Sequence, residues 1–273
     1  MVQTAHVEIQ MTSRTRSSGF TVIEILMAIT LIGILSVVAM DVISDTISEG
    51  RFEETVAKMT AIQNAMIGDA TLMESGSRTS FGFLGDIGAI PTAVQGIAAL
   101  TTNPTLPVYA MNATSRFGFG WNGPYVSAMN SATDYTKDGW GTAFVYSPAS
   151  SPPTLVSYGA DRAVGGTGLN QDITVNLPTE MRTATVNGFI CSAGGPISSA
   201  ASVTLYYPDG SGALTTNTQA LAAGVKGQFS YSSVPLGVRS ITVTVGATTV
   251  GPVLITVDKP NYMVPCNKID INP

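Results

Sequence analysis

The sequence predicts an α+β protein: a long N-terminal helix (a membrane-spanning half plus an amphipathic half) packed on a small antiparallel sheet, followed by an all-β sandwich. Three observations predict it. An apolar run near the N-terminus passes into an apolar stripe at three- and four-residue spacing. Gly and Pro number 28 and 15, the punctuation of many turns and short strands. The last hundred residues alternate apolar and polar side chains between regular turn signals. Only 11% of residues are charged, against about 25% in an average soluble protein. With 44% hydrophobic residues, a disordered, charge-solvated chain is excluded. The net charge of −5 leaves no basic stripe for phosphates, so no nucleic-acid partner is expected.

The first element runs from Phe20 to Met40, an apolar segment whose one charge is Glu24. As a helix it would measure roughly 31 Å, the thickness of a bilayer core. Arg14 and Arg16 precede it, which places the N-terminal side in the cytoplasm and the rest of the chain outside. An ionised carboxylate within such a span costs several kcal/mol or more and calls for a partner. A cut after Gly19 would create an amine on Phe20, four residues before Glu24, able to neutralise it or a neighbouring subunit's copy. The plain alternative is an anchor helix with Glu24 reaching the interface.

Ser18-Gly19-Phe20-Thr21-Val22-Ile23-Glu24 and the apolar run after it closely resemble the class III signal of type IV pilins and type II secretion pseudopilins. The resemblance implies a leader peptide at 1–19, removed by prepilin peptidase after Gly19, and methylation of the new N-terminal Phe20. It implies that Glu24 pairs with a neighbour's N-terminus during assembly. Many members carry a proline where this chain has Asp41, so a bend of the helix at that point is not implied.

Removing 1–19 removes His6, the single histidine. Ser-His-Asp and Cys-His triads and histidine-containing zinc sites are then impossible, and no P-loop, dinucleotide fingerprint or nucleophile elbow is present. An enzyme is not expected. Beyond Met40, Val42, Ile43, Ile47, Phe52, Val56, Met59, Ile62, Met66 and Ile67 continue an apolar stripe, with Arg51 and Lys58 placed for i,i+4 pairs with acids. The helix is expected over 20–74, with 20–40 transmembrane, ending at Ser75-Gly76-Ser77.

A globular head is expected over 75–177. Pro91-Thr92-x-x-Gln95-Gly96-Ile97-x-x-Leu100 resembles a stretch of major type II secretion pseudopilins; Gly96 permits a tight approach, and Ile97 and Leu100 start a short buried helix. Lys137-Asp138-Gly139-Trp140-Gly141 resembles the family's Asp-Pro-Trp-Gly turn, with Gly139 where proline is usual. Alternation at Ala143–Tyr146 and Leu155–Tyr158 predicts two antiparallel strands. The Gly-rich stretch from Ser157 to Ile173 resembles the same family's calcium loop. That implies Ca²⁺ on Asp161 and Asp172 with Tyr158 as a carbonyl donor, chemistry that suits a cation wanting six to eight oxygens. Gln171 stands where a second acid is common, and the loop is no EF-hand. From the residues alone, a Gly-rich turn with two solvated aspartates remains open.

The chain continues past this loop with a C-terminal β-sandwich expected over 178–273. Its strands are read at Thr183–Ile190, Ser202–Tyr207, Gln228–Ser232, Arg239–Val245, Val253–Val257 and Asn267–Ile271. Gly188 to Val245 is similar to transthyretin-like modules. Tyr206, Tyr207 and Tyr231 are candidates either for a ligand patch or for packing. Cys191 and Cys266 flank the module, and in an oxidising periplasm a disulfide between them is expected.

These readings together imply a major-pseudopilin-like subunit of a type II secretion-like system. It would be a single-pass inner-membrane protein with a periplasmic head, assembling with itself into a helical filament. Its partners would be prepilin peptidase, minor pseudopilins, the inner-membrane assembly platform and, before assembly, membrane lipid. The alternative is a type IV pilin whose sandwich serves adhesion or ligand binding, or an anchored binding module that keeps residues 1–19 and never polymerises.

Overall fold

The computed structural model describes residues 19–126 and 134–272, and the side chains among these except those at 37–39, 41 and 42. The expected leader 1–19, apart from Gly19, and the side chain of Asp41 lie outside them. The chain divides into two compact units, one up to Ile47 and one from Ser48 onward.

In the first unit, helix α1 (Val22–Ile67) begins behind a reciprocal cap. The Glu24 amide donates to Thr21 Oγ1 at 3.3 Å, and the Thr21 amide donates to Glu24 Oε2 at 3.5 Å. This is a capping box, in which two otherwise unsatisfied helix-end donors find acceptors. Thr30 and Ser36 return their hydroxyls to carbonyls of the preceding turn. The apolar side chains stand open on all faces: Phe20, Ile23, Ile29 and Leu35 are each at least 60% exposed. Among the described residues no helix is long and apolar enough to cross a membrane, and residues 37–39 of the expected span 20–40 lie outside the described side chains.

In the second unit, α1 buries Thr55, Met59, Ile62 and Met66, a line at three- and four-residue spacing. Val56 and Ile47, expected on this stripe, are exposed, and Thr55 takes the inward place instead. Its hydroxyl donates to Arg51 O and accepts the Gly139 amide at 2.9 Å, so a polar residue is satisfied inside the core. Of the expected helix pairs, Lys58 meets Glu54 at 2.7 Å. The helix stops at Ile67, short of the expected 74. Gly68 takes φ +82, a left-handed conformation that ends helices, and the Arg78 guanidinium donates to Ile67 O. Ser75-Gly76 instead forms the turn of a small hairpin pairing Met73–Glu74 with Ser77–Arg78.

The head follows. Helix α2 (Gly82–Ile87) buries Phe83, Leu84 and Ile87 and ends on Gly88 at φ +91. Strands β1 (Val145–Ser147), β2 (Thr154–Ser157) and β3 (Ile173–Asn176) form an antiparallel sheet in that order, with Val145 opposite Val156 and Leu155 opposite Val175. The third strand was not read from the sequence.

The C-terminal part contains two sheets. Strands β4 (Thr183–Phe189), β7 (Gln228–Pro235) and β10 (Asn261–Val264) make one, in the order β7-β4-β10, with β10 parallel to β4. Strands β5 (Ala201–Pro208), β6 (Leu214–Leu221), β8 (Gly237–Val245) and β9 (Thr248–Val257) make the other, in the order β6-β5-β8-β9. Val186, Phe229 and Val234 of one sheet and Val203, Leu205, Ile241 and Ile255 of the other are buried in one core, the pattern of a sandwich. Gly188 is required there: a Cβ would sit 2.3 Å from the Phe229 ring. Tyr231 is core rather than patch, 3% exposed, its hydroxyl donating to Val203 O at 2.6 Å. Asn267–Ile271 forms no strand. Cys266–Lys268 is a short 3-10 turn, and the residues after it bond along the 191–193 backbone instead. Cys191 and Cys266 form the expected disulfide, their Cα atoms 5.6 Å apart.

The head and the sandwich are joined by specific bonds within this unit. The turn after β5 places the Gly210 amide on Ile87 O at 2.9 Å, and a Cβ on Gly88 would meet Pro208 O at 2.1 Å. Arg239 of β8 is fully buried and donates to Gly85 O of α2 at 2.9 Å, and to the carbonyls of Pro235, Leu236 and Val238.

Candidate functional sites: the N-terminal junction and the 158–172 loop

The junction at Gly19-Phe20 lies at the start of α1, open to solvent, with nothing within 4 Å of a Cβ built on Gly19. Backbone access of this kind is what a peptidase needs. Glu24 lies in the first turn of the helix, and its carboxylate takes part in the Thr21 cap. That local role was legible in Thr21-x-x-Glu24, a capping-box spacing, and the sequence reading missed it.

The loop is held from below by Asp138, a carboxylate only 3% exposed. Its Oδ1 accepts the amides of Trp140 (3.0 Å) and Thr142 (2.8 Å), and its Oδ2 accepts the Ser157 hydroxyl at 2.7 Å. Ser157 Oγ in turn accepts the Gly159 amide. One buried acid thus fixes both the Trp140 turn and the entrance to the loop. Gly139 explains the missing proline: its amide donates to Thr55, and a Cβ there would lie 2.2 Å from Arg51 O. A proline would lose the donor and strike the helix backbone.

Inside the loop, glycines bring carbonyls together. Gly159 at φ +67 packs against the backbone oxygens of Leu169 and Gln171, and Gly166 at φ +80 against that of Asn170. Asp161 is exposed, and its Oδ1 accepts the Ala163 amide at 3.0 Å. Tyr158 is half-buried. Asp172 binds Gly165 O through its amide, while its Oδ1 is buried with no hydrogen-bond partner. Arg162, in a left-handed conformation at φ +61, donates to Trp140 O at 2.9 Å and ties the loop to the turn beneath it. Among the described residues no three His, Cys, Asp or Glu side chains cluster to hold a metal. The donor set is therefore two carboxylates and backbone carbonyls, all hard oxygens. The partnerless Asp172 oxygen is what an absent oxygen-seeking cation would leave behind, so the residues present fit Ca²⁺ and do not fit zinc.

At Thr92, the amide donates to Gln95 Oε1 at 2.8 Å and the Thr92 hydroxyl receives the Gln95 amide at 3.3 Å. This reciprocal pair starts the buried turn Ile97–Leu100. Gly96 has open space around it, so its left-handed φ of +58 and not a tight approach demands glycine.

Residues 81–176 match the family of protein G of the type II secretion system (T2SS). Residues 14–40 match the prokaryotic N-terminal methylation motif. No curated relative matches the chain. Both matches end before β4 begins, so they cover the processing junction and the head and leave the sandwich outside. The methylation motif, the long helix behind it and the protein G head in that order support a member of the pseudopilin and type IV pilin superfamily.

Proposed function

We propose that the chain is a major-pseudopilin-like structural subunit of a type II secretion-like system, one that promotes protein export by polymerising into a periplasmic filament. The observation that carries this reading is the protein G match over 81–176, behind a methylation motif at 14–40. Prepilin peptidase cuts after Gly19 on the cytoplasmic side, Phe20 is methylated, and 20–40 anchors the chain in the inner membrane with the head outside. The exposed apolar surface from Phe20 to Leu35 supports this, since so much uncovered hydrocarbon needs lipid or other copies around it. Assembly moves that surface from lipid to neighbouring helices. Pairing of Glu24 with a neighbour's Phe20 amine lowers the cost of carrying the charge and sets the stagger. Minor pseudopilins and the inner-membrane assembly platform are the expected partners, and catalysis is not part of the function.

Calcium on Asp161, Asp172 and the Tyr158 carbonyl would stiffen the loop, supplying positive charge to the buried Oδ1 of Asp172. A calcium-dependent rise of the melting temperature, lost in Asp172→Asn, is the expected outcome; an equal rise in that variant excludes this site. A surface pilin is the second reading, favoured by a sandwich that filament formation does not require. Protease treatment of intact cells separates the two, because a periplasmic filament is protected.

The capping box allows a clean test of the assembly step. Glu24→Gln retains a side chain that caps the helix but removes the charge. Membrane insertion and cleavage should continue while filaments vanish; filaments at normal abundance from this variant would refute charge pairing.

A further inference from the structure

A cavity of about 510 Å³ opens where the head meets the sandwich. This is within the roughly 300–1,000 Å³ of small-molecule sites. Residues from the head supply most of its wall, and Val238 and Leu254 of the sandwich supply the rest, so the cavity lies at the seam between the two parts. Its lining combines rings and charges with the neutral polar Thr79, Ser80 and Asn122. Phe81, Tyr109 and Tyr125 are aromatic, and two opposite charges, Asp86 and Arg116, face the same space.

Asp86 is the unusual group. It is half-buried, and its Oδ2 accepts the Tyr125 hydroxyl at 3.0 Å. Among the described residues it forms no ion pair: the nearby Arg239 guanidinium is taken up by four carbonyls. Burial pushes its carboxyl up to about 6, with the Tyr125 bond and Arg239 opposing. A half-buried carboxylate in a cavity, with a cation nearby but in no direct ion pair with it, still gains from a ligand's positive group. Arg116 is exposed and likewise forms no ion pair among the described residues. Opposite charges in one cavity that do not reach each other leave room for a molecule between them.

The aromatic wall is preorganised. The Tyr125 ring is held edge-on by Phe83 at 5.6 Å and by Trp121 at 6.0 Å. The Trp121 indole is itself fixed on Ala99 O at 2.8 Å. Tyr109 lies against Gly118 so closely that a Cβ there would overlap the phenol. Rings already immobilised lose little entropy when a ligand arrives.

We propose that this cavity binds a zwitterionic, amino-acid-like molecule, its ammonium on Asp86, its carboxylate on Arg116 and its side chain among the rings of Phe81, Tyr109 and Tyr125. The ligand is a free amino acid or a short peptide carrying both termini. None of its lining residues belongs to the 158–172 loop or to the segment 20–47.

Isothermal titration of the full chain in detergent, with phenylalanine and the dipeptide Phe-Ala, tests this. Saturable binding of one or both is expected, and whichever binds tighter identifies the source. N-acetylphenylalanine and phenylalanine amide should each bind about tenfold more weakly or not at all. Asp86→Asn and Arg116→Ala should each weaken binding about tenfold. Leu254→Trp, which fills the mouth from an exposed position, should abolish it and serves where a charge variant misfolds. No saturable heat with either zwitterion in the millimolar range would overturn the proposal. So would capped compounds that bind as tightly as phenylalanine itself, or binding unchanged in all three variants.

Discussion

The head and the sandwich belong to one compact unit but are specified in different ways. The head's main sheet has strands of three and four residues, while those of the sandwich reach eight to ten. Long ladders satisfy their own backbone and need only inward-facing hydrocarbon. Short strands and loops leave backbone groups to be satisfied by side chains, and the head supplies them one by one: Asp138 for the Trp140 turn, Thr92 and Gln95 for the buried turn, Tyr146 for Pro91 O. One region therefore depends on particular residues, the other on a pattern.

Variants can break or sharpen this contrast. The largest effect is expected in the sandwich, where the disulfide closes a separation of 75 residues. Replacing both cysteines by serine should lower unfolding free energy by about 4–5 kcal/mol by chain entropy; an unchanged denaturation midpoint would mean the ladders alone suffice. Asp138→Ala should cost about 3–4 kcal/mol, because it leaves two amides and a buried hydroxyl without their charged acceptor. A loss below about 1 kcal/mol in denaturant titration would show that the head is not specified by single polar residues.

A smaller effect belongs to the seam. The Asp86 carboxyl is raised from 3.8 to about 6, so the folded state favours its neutral form. The stability this gives is fully present below about pH 4 and is lost as pH rises through about 6, a fall of about 2–3 kcal/mol by pH 7. Asp86→Asn should flatten that slope in melts recorded from pH 4 to 7. A slope that survives the substitution would assign it to another group.

The pattern-based region was read well where alternation is strong. Strand β4 buries every second residue, and its expected range differs by a single residue at the end. Strand β6, Leu214-Thr-Thr-Asn-Thr-Gln-Ala-Leu221, escaped because an edge strand with one face in solvent carries almost no apolar signal. Asn267–Ile271 was misread because apolar spacing alone cannot register the turn that Pro265 and the disulfide impose. In the residue-based region the motifs located Asp138, Gln95 and the loop, but not what they touch. Thr55 and Arg239 were missed for the opposite reason: a buried polar side chain looks like surface until its partners across the fold are known. The one charge inside the β-branched-rich stretch Val238–Val245 was the available signal.

The account's central claim is that this chain becomes a processed filament subunit. Intact mass with N-terminal peptide mapping, on protein purified from its native membrane, tests that claim most directly. A chain beginning at N-methylated Phe20 is the predicted result. A chain still beginning at Met1 or Val2, with prepilin peptidase present, would contradict it and leave an anchored protein that does not assemble.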